Sequence, residues 1–109
     1  MKVSVLGCGR WGSFLAWYNN RLGNNVISFG PENDYSYQIL KNTGRNEYVR
    51  FDESIKVSCD LDEALNHAEI VIISISSQGL RGFASEIAKR DIKNKKFVLC
   101  MKGIEETTG

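Results

Sequence analysis

The chain has 109 residues, of which 42% are hydrophobic and 25% charged, enough apolar side chains for the core of one ordinary domain. Its 14 Lys and Arg against 13 Asp and Glu leave a net charge of +1, with both signs dispersed and no electrostatic footprint for a nucleic acid or membrane surface. Three cysteines in neither a C-x-x-C pair nor a metal-ligand spacing argue against a disulfide scaffold, and no apolar run is long enough for a signal peptide or a spanning helix.

The first strand is Lys2-Val3-Ser4-Val5-Leu6, and Gly7-Cys8-Gly9-Arg10-Trp11-Gly12 follows it as G-x-G-x-x-G. In that context the three glycines read as a dinucleotide fingerprint. Gly7 permits the strand-to-helix turn, Gly9 lets bare backbone approach a pyrophosphate, and Gly12 lets the helix pack on the sheet. Downstream, Trp11, Phe14, Leu15, Tyr18 and Leu22 recur at helical period and predict an apolar stripe that lies on the sheet, with Gly23 as the stop. A second strand at Val26-Ile27-Ser28-Phe29 completes a βαβ unit.

Gly30 to Asp34 is a turn holding the only proline, and Tyr35 to Asn42 is a short helix ended by Thr43-Gly44-Arg45-Asn46. Glu47 to Glu53 reads as irregular, before a weak third strand at Ile55 to Ser58. Asp60 is placed to cap the next helix, with Glu63 three residues on, close to a capping box. The only histidine, His67, falls near the end of that helix and reads as a surface residue. Ile70-Val71-Ile72-Ile73 is a continuous β-branched run, the pattern of a strand buried on both faces. Ser76-Ser77-Gln78 is the loop beyond it. Leu80, Phe83, Ala84, Ile87 and Ala88 form the stripe of a further helix, and Phe97 to Met101 makes a fifth strand running into Lys102-Gly103. Cys8 and Cys100 fit as small residues at strand ends. Alternating strands and helices predict an open parallel α/β sheet of Rossmann type, order 3-2-1-4-5, with helices on both faces and ligands at the C-terminal strand ends.

The G-C-G-R-W-G-S string, the Asp60 to Leu65 helix, the strand leading to Ser77-Gln78, and Lys102-Gly103-Ile104-Glu105 before Thr107 and Gly109 together resemble the N-terminal domain of NAD(P)-dependent glycerol-3-phosphate dehydrogenase. The resemblance spans nearly the whole chain. It implies an oxidoreductase parent that interconverts dihydroxyacetone phosphate and sn-glycerol 3-phosphate by hydride transfer with NAD(H) or NADP(H). By the same resemblance Gly7, Gly9, Arg10, Trp11 and Gly12 hold the cofactor's pyrophosphate side, Ser77 and Gln78 lie along it, and Lys102 meets cofactor and substrate at the hydride-transfer site. Read from the residues alone, Lys102 is a solvated lysine. Ser76 departs from the family pattern, which usually has a proline there. The family's second, helical domain lies beyond residue 109, so the resemblance implies that residues 1–109 bind cofactor without turning substrate over. It further implies a cytoplasmic parent, a small-molecule substrate, no nucleic acid or membrane partner, and a homodimer as the candidate assembly.

Glu32 stands about 20 residues past Gly12, the spacing at which an acid meets the ribose 2′-OH of NAD. Gly30 to Asp34 holds no arginine or histidine for a 2′-phosphate. The residues therefore lean to NAD, with a solvated turn as the alternative role for Glu32. Two other readings stand beside the first: a ketopantoate reductase or 6-phosphogluconate-type dehydrogenase, which Lys102 to Glu105 argues against, and a non-catalytic NAD(H)-sensing module.

Overall fold

The computed structural model describes residues 1–75 and 77–100, the side chains of 77–81 excepted. Among the described residues five strands and four helices alternate: β1 Lys2–Leu6, α1 Arg10–Arg21, β2 Asn25–Phe29, α2 Tyr35–Thr43, β3 Lys56–Ser58, α3 Leu61–His67, β4 Ile70–Ile73, α4 Ser77–Ala88 and β5 Lys96–Leu99. The strands form one all-parallel sheet in the order β3-β2-β1-β4-β5, the topology that the alternating pattern predicts. Register aligns the C-terminal ends in one row, with Leu6 beside Phe29 and Ile73, Phe29 beside Ser58, and Ile73 beside Leu99. The ladder continues one residue further, since Gly7, Gly30, Ser74 and Cys100 each donate an N–H to the strand-end carbonyl beside them at 2.8–3.0 Å. All the loops that leave this row start from a fixed edge.

Strand alternation divides the core in two. On one face Val3, Val5 and Val26 pack with Ala16 of α1, Tyr37 and Leu40 of α2, and Phe51 and Ile55. On the other, Leu6, Ile27, Phe29, Val71 and Ile73 pack with Ala64 and Leu65 of α3 and Ile87 of α4. Each buried Val, Leu, Ile or Phe among these contributes about 1.5–3 kcal/mol. Ser4 is fully buried, and its hydroxyl donates to the Ala64 carbonyl at 2.5 Å, tying α3 to the central strand.

The α1 stripe is a correction. The residues of α1 buried against the sheet are Gly12, Ser13 and Ala16, whereas Trp11, Phe14 and Tyr18 are 38%, 39% and 47% exposed and Leu22 is exposed. Only Leu15 and Trp17 reach the core from its flank. The glycine turn brings the helix so close to the strands that only small side chains fit beneath it, so the large apolar residues ride outside. There Phe14 stacks on Tyr18 at 6.0 Å and meets Trp11 edge-on at 6.4 Å.

Element ends follow local chemistry. Gly23, at φ +94°, closes α1 by donating to the Asn20 carbonyl, with Arg21 in the last turn opposing the dipole. Asp34 caps α2 through Tyr37 N–H, and Gly44, in the left-handed region, ends it one residue later than the predicted Asn42. Asp60 caps α3 by accepting from Glu63 N–H at 3.2 Å, but the reciprocal half of the capping box is absent. The Glu63 carboxylate goes instead to Lys56 and to the Ser58 hydroxyl, and Ser58 in turn accepts from Asp60 N–H. On α4 Ile87 is buried and Phe83 half-buried, as expected, while Ala84 and Ala88 are exposed and Leu80 lies outside the described side chains. His67 is the last residue of α3 and is only partly exposed, its Nε2 lying 2.9 Å from the Asn25 carbonyl.

The two outer glycines of the turn have no room for a side chain. A Cβ on Gly7, at φ +126°, would lie 2.0 Å from the Ser74 carbonyl oxygen, and one on Gly12 would lie 2.2 Å from that of Gly7. Backbone cannot yield to either. Gly9 is different: a Cβ there meets nothing within 4 Å. Gly7→Ala is therefore expected to lower unfolding free energy by about 3 kcal/mol or more, and Gly9→Ala by about 1 kcal/mol or less, as read by urea denaturation. Equal losses at the two positions would contradict this packing.

Candidate functional site

The site lies where α1 starts, at the point in the sheet where connections run outward in both directions from β1. Gly9 is the N-cap of α1 in extended conformation, with no side-chain cap and no acidic residue in the first turn. The first N–H groups of a helix have no intrahelical partner, and the positive end of the dipole lies among them. Bare backbone at Gly9, open space over it and an uncapped helix start together make a cradle that a pyrophosphate fits.

Two clefts flank this loop. The first, of about 430 Å³, is bounded by Gly7, Gly9, Phe29, Pro31, Asp34 and Phe83. The second, of about 480 Å³, lies between the loop and α2 and includes Cys8, Gly9, Arg10, Asn46 and Tyr48. Phe29 and Phe83 meet at 5.8 Å with rings near perpendicular, an apolar wall for the first cleft. The two clefts meet at Cys8, Gly9 and Ser36.

The predicted residues distribute as follows. Gly7, Gly9, Arg10, Trp11 and Gly12 come together at the turn and the first turn of α1. Glu32 is exposed in the turn after β2, and its backbone carbonyl accepts from Gln38. Asp34 also borders the first cleft, and sequence reasoning passed over it because it reads simply as the end of the turn after β2. Its helix-capping position was the available signal. Ser77 and Gln78 open α4 instead of lying in a loop; their side chains, together with Ser76 and Lys102, lie outside the described residues. Among the described residues no cluster of three or more His, Cys, Asp or Glu is placed to hold a metal ion, and no helix is long and apolar enough to cross a membrane.

Cys8 sits inside the loop but points into the protein. It is buried, its Sγ 3.6 Å from the Ser28 hydroxyl and donating to the Phe29 carbonyl at 3.3 Å. A Cβ on Gly30 would come within 2.8 Å of that sulfur, so the thiol fills the space between the β1 and β2 ends. Burial pushes it up to about 11, partly offset by the Ser28 hydrogen bond.

Comparison with known proteins places this architecture. Residues 2–109 match a family model described as NAD-dependent glycerol-3-phosphate dehydrogenase N-terminus. A glycerol-3-phosphate dehydrogenase (NAD(P)+) of Thermoanaerobacter sp. is 33% identical over 99% of this chain and 33% of its own length. The protein of the same name from Chlorobium limicola is 31% identical over 100% of the chain and 34% of its own length. A solved glycerol-3-phosphate dehydrogenase from Coxiella burnetii superposes with a TM-score of 0.83 at 23% identity, over 93% of this chain and 32% of that one, which shows the fold. The chain spans about a third of the length of the curated relatives it matches.

At pH 8, Cys8 is expected to resist alkylation by iodoacetamide while the exposed Cys59 reacts, as read by mass spectrometry of the folded protein. The raised folded-state pKa also sets a sign. Stability from keeping Cys8 protonated is complete below the unfolded thiol value and is lost as pH rises from there through about 11. Cys8→Ala should flatten that decline in urea titrations across the alkaline range.

Proposed function

The chain belongs to the NAD-dependent glycerol-3-phosphate dehydrogenase N-terminus family, and from that premise we propose that it binds NAD(H) across the Gly7–Gly12 turn as the cofactor domain of an sn-glycerol-3-phosphate dehydrogenase. The observation that carries the reading is the open backbone at Gly9 beside an uncapped helix start, with side chains sterically barred at Gly7 and Gly12. Gly9 and the first N–H groups of α1 receive the pyrophosphate, while Gly7 and Gly12 hold the turn in shape. Arg10 adds a cation at its edge, and Trp11 lies beside the occupied loop.

The first cleft takes the adenosine half. Asp34 accepts there from a ribose hydroxyl with the carboxylate oxygen that α2 leaves free, a role better supported by its place in the cleft wall than the same role for exposed Glu32. Its negative charge would oppose a 2′-phosphate, which favours NAD(H) over NADP(H). Ser77 and Gln78, at the start of α4, border the remainder of the cofactor.

The nicotinamide, when bound, supplies the hydride that converts dihydroxyacetone phosphate to sn-glycerol 3-phosphate. Lys102 keeps the role that the family resemblance gives it: an ammonium beside the substrate carbonyl oxygen offsets the charge that develops there during reduction. The relatives are about three times as long as the matched region, and we assign turnover to the whole protein, with residues 1–109 alone binding nucleotide.

Fluorescence titration of the chain with NADH and NADPH tests this directly, with Trp11 as the reporter. Saturable quenching that favours NADH is expected. Gly9→Val should abolish it in a protein that remains folded by circular dichroism, since the added side chain fills the open space. Asp34→Ser keeps a capping hydroxyl but removes the charge, so it should narrow the preference between the two nucleotides. Unchanged NADH affinity in folded Gly9→Val would sink the assignment.

A further inference from the structure

Arg10 is the first residue of α1, at the helix end where a cation is least favoured. Among the described residues it forms no ion pair. Two aromatic rings hold it instead: its guanidinium carbon lies 5.7 Å from the Trp11 ring centroid and 5.5 Å from that of Tyr48. Trp11 is its chain neighbour. Tyr48 comes from the segment after α2, and that segment is fastened to α1.

Asn46 does the fastening. Its Oδ1 accepts from the backbone N–H groups of Tyr48 at 2.8 Å and Val49 at 2.9 Å, which fixes the turn that carries the Tyr48 ring. Its Nδ2 donates to the Ser13 hydroxyl at 3.0 Å, and Ser13, fully buried on α1, donates that hydroxyl to the Arg10 carbonyl at 3.2 Å. The base of the segment closes through an Arg45–Arg50 bridge and a bond from Phe51 N–H to the Gly44 carbonyl at 2.8 Å. A continuous chain of hydrogen bonds therefore runs from the Tyr48 backbone to the backbone of Arg10. Rings engage a guanidinium through its flat faces, and its five N–H donors lie in the plane, where a phosphate would be gripped.

We propose that Tyr48 is a positioning residue for the cofactor's phosphates, holding the Arg10 guanidinium against Trp11 so that its in-plane donors face the cleft beside Gly9. This rests on the nucleotide reading above. It adds a specific consequence: part of the phosphate affinity is set by a side chain that touches no phosphate.

Calorimetric titration of the chain with NADH and with ADP-ribose, which keeps the pyrophosphate but lacks nicotinamide, tests the proposal in five forms: unaltered, Tyr48→Phe, Tyr48→Leu, Arg10→Gln, and Arg10→Gln with Tyr48→Leu. Tyr48→Leu is expected to weaken both ligands by about 2–5-fold, the size of an exposed cation–π contact. Tyr48→Phe should retain affinity, and the leucine effect should vanish in the Arg10→Gln background. Two results overturn the proposal alone: Tyr48→Leu binding as tightly as the unaltered chain, or a loss that persists in full once Arg10 is gone. An unaltered chain that binds neither ligand overturns the nucleotide reading, and this inference with it.

Discussion

Three stretches of backbone meet where β1 ends, and they meet without side chains between them. The Gly7 α-carbon faces the Ser74 carbonyl from the end of β4, and the Gly12 α-carbon faces the Gly7 carbonyl from the first turn of α1. A methyl group at either position would overlap a carbonyl oxygen. This contact sets how close the first helix comes to the sheet and how closely the β1 and β4 loops approach each other.

Much else follows from that distance. A helix drawn down onto the strands can bury only Gly12, Ser13 and Ala16, so its aromatic residues are turned outward. The pressed-down first turn also places buried Ser13 where Asn46 can reach it. Cys8, between the ends of β1 and β2, is small enough to fill the gap beside Gly30. Glycine, serine and cysteine at these positions are one solution to one steric problem, and the fingerprint motif is its visible part.

The strand order and the glycine turn were legible in the sequence because both depend on local signals. β-branched runs such as Ile70 to Ile73 mark strands of the sheet, although Ile70 and Ile72 are only half-buried where burial on both faces was expected, and Gly7, Gly9 and Gly12 mark a backbone that must come close. The burial of α1 was not legible, because periodicity reports where apolar residues lie and not how much room the sheet leaves for them. Trp11, Phe14 and Tyr18 have the spacing of a core face and are exposed. Asp34 was hidden for another reason. Its place in the cleft wall depends on how the turn after β2 folds back, which no spacing rule encodes. Tyr48 was hidden most deeply, since its meeting with Arg10 runs through Asn46 and Ser13, a tertiary route across elements.

The bare start of α1 has a thermodynamic side. Asp34 and Asp60 cap the next two helices from within the chain, while Gly9 brings no side chain to the task and Arg10 brings the wrong sign. A phosphate bound there would act as the missing cap, so part of this domain's stability would be stored in the surrounding solution instead of in its sequence. Each tenfold rise in free nucleotide above its dissociation constant would then add about 1.4 kcal/mol to unfolding, and the melting temperature would track the nucleotide pool. On that view the helix start is a gauge as well as a grip.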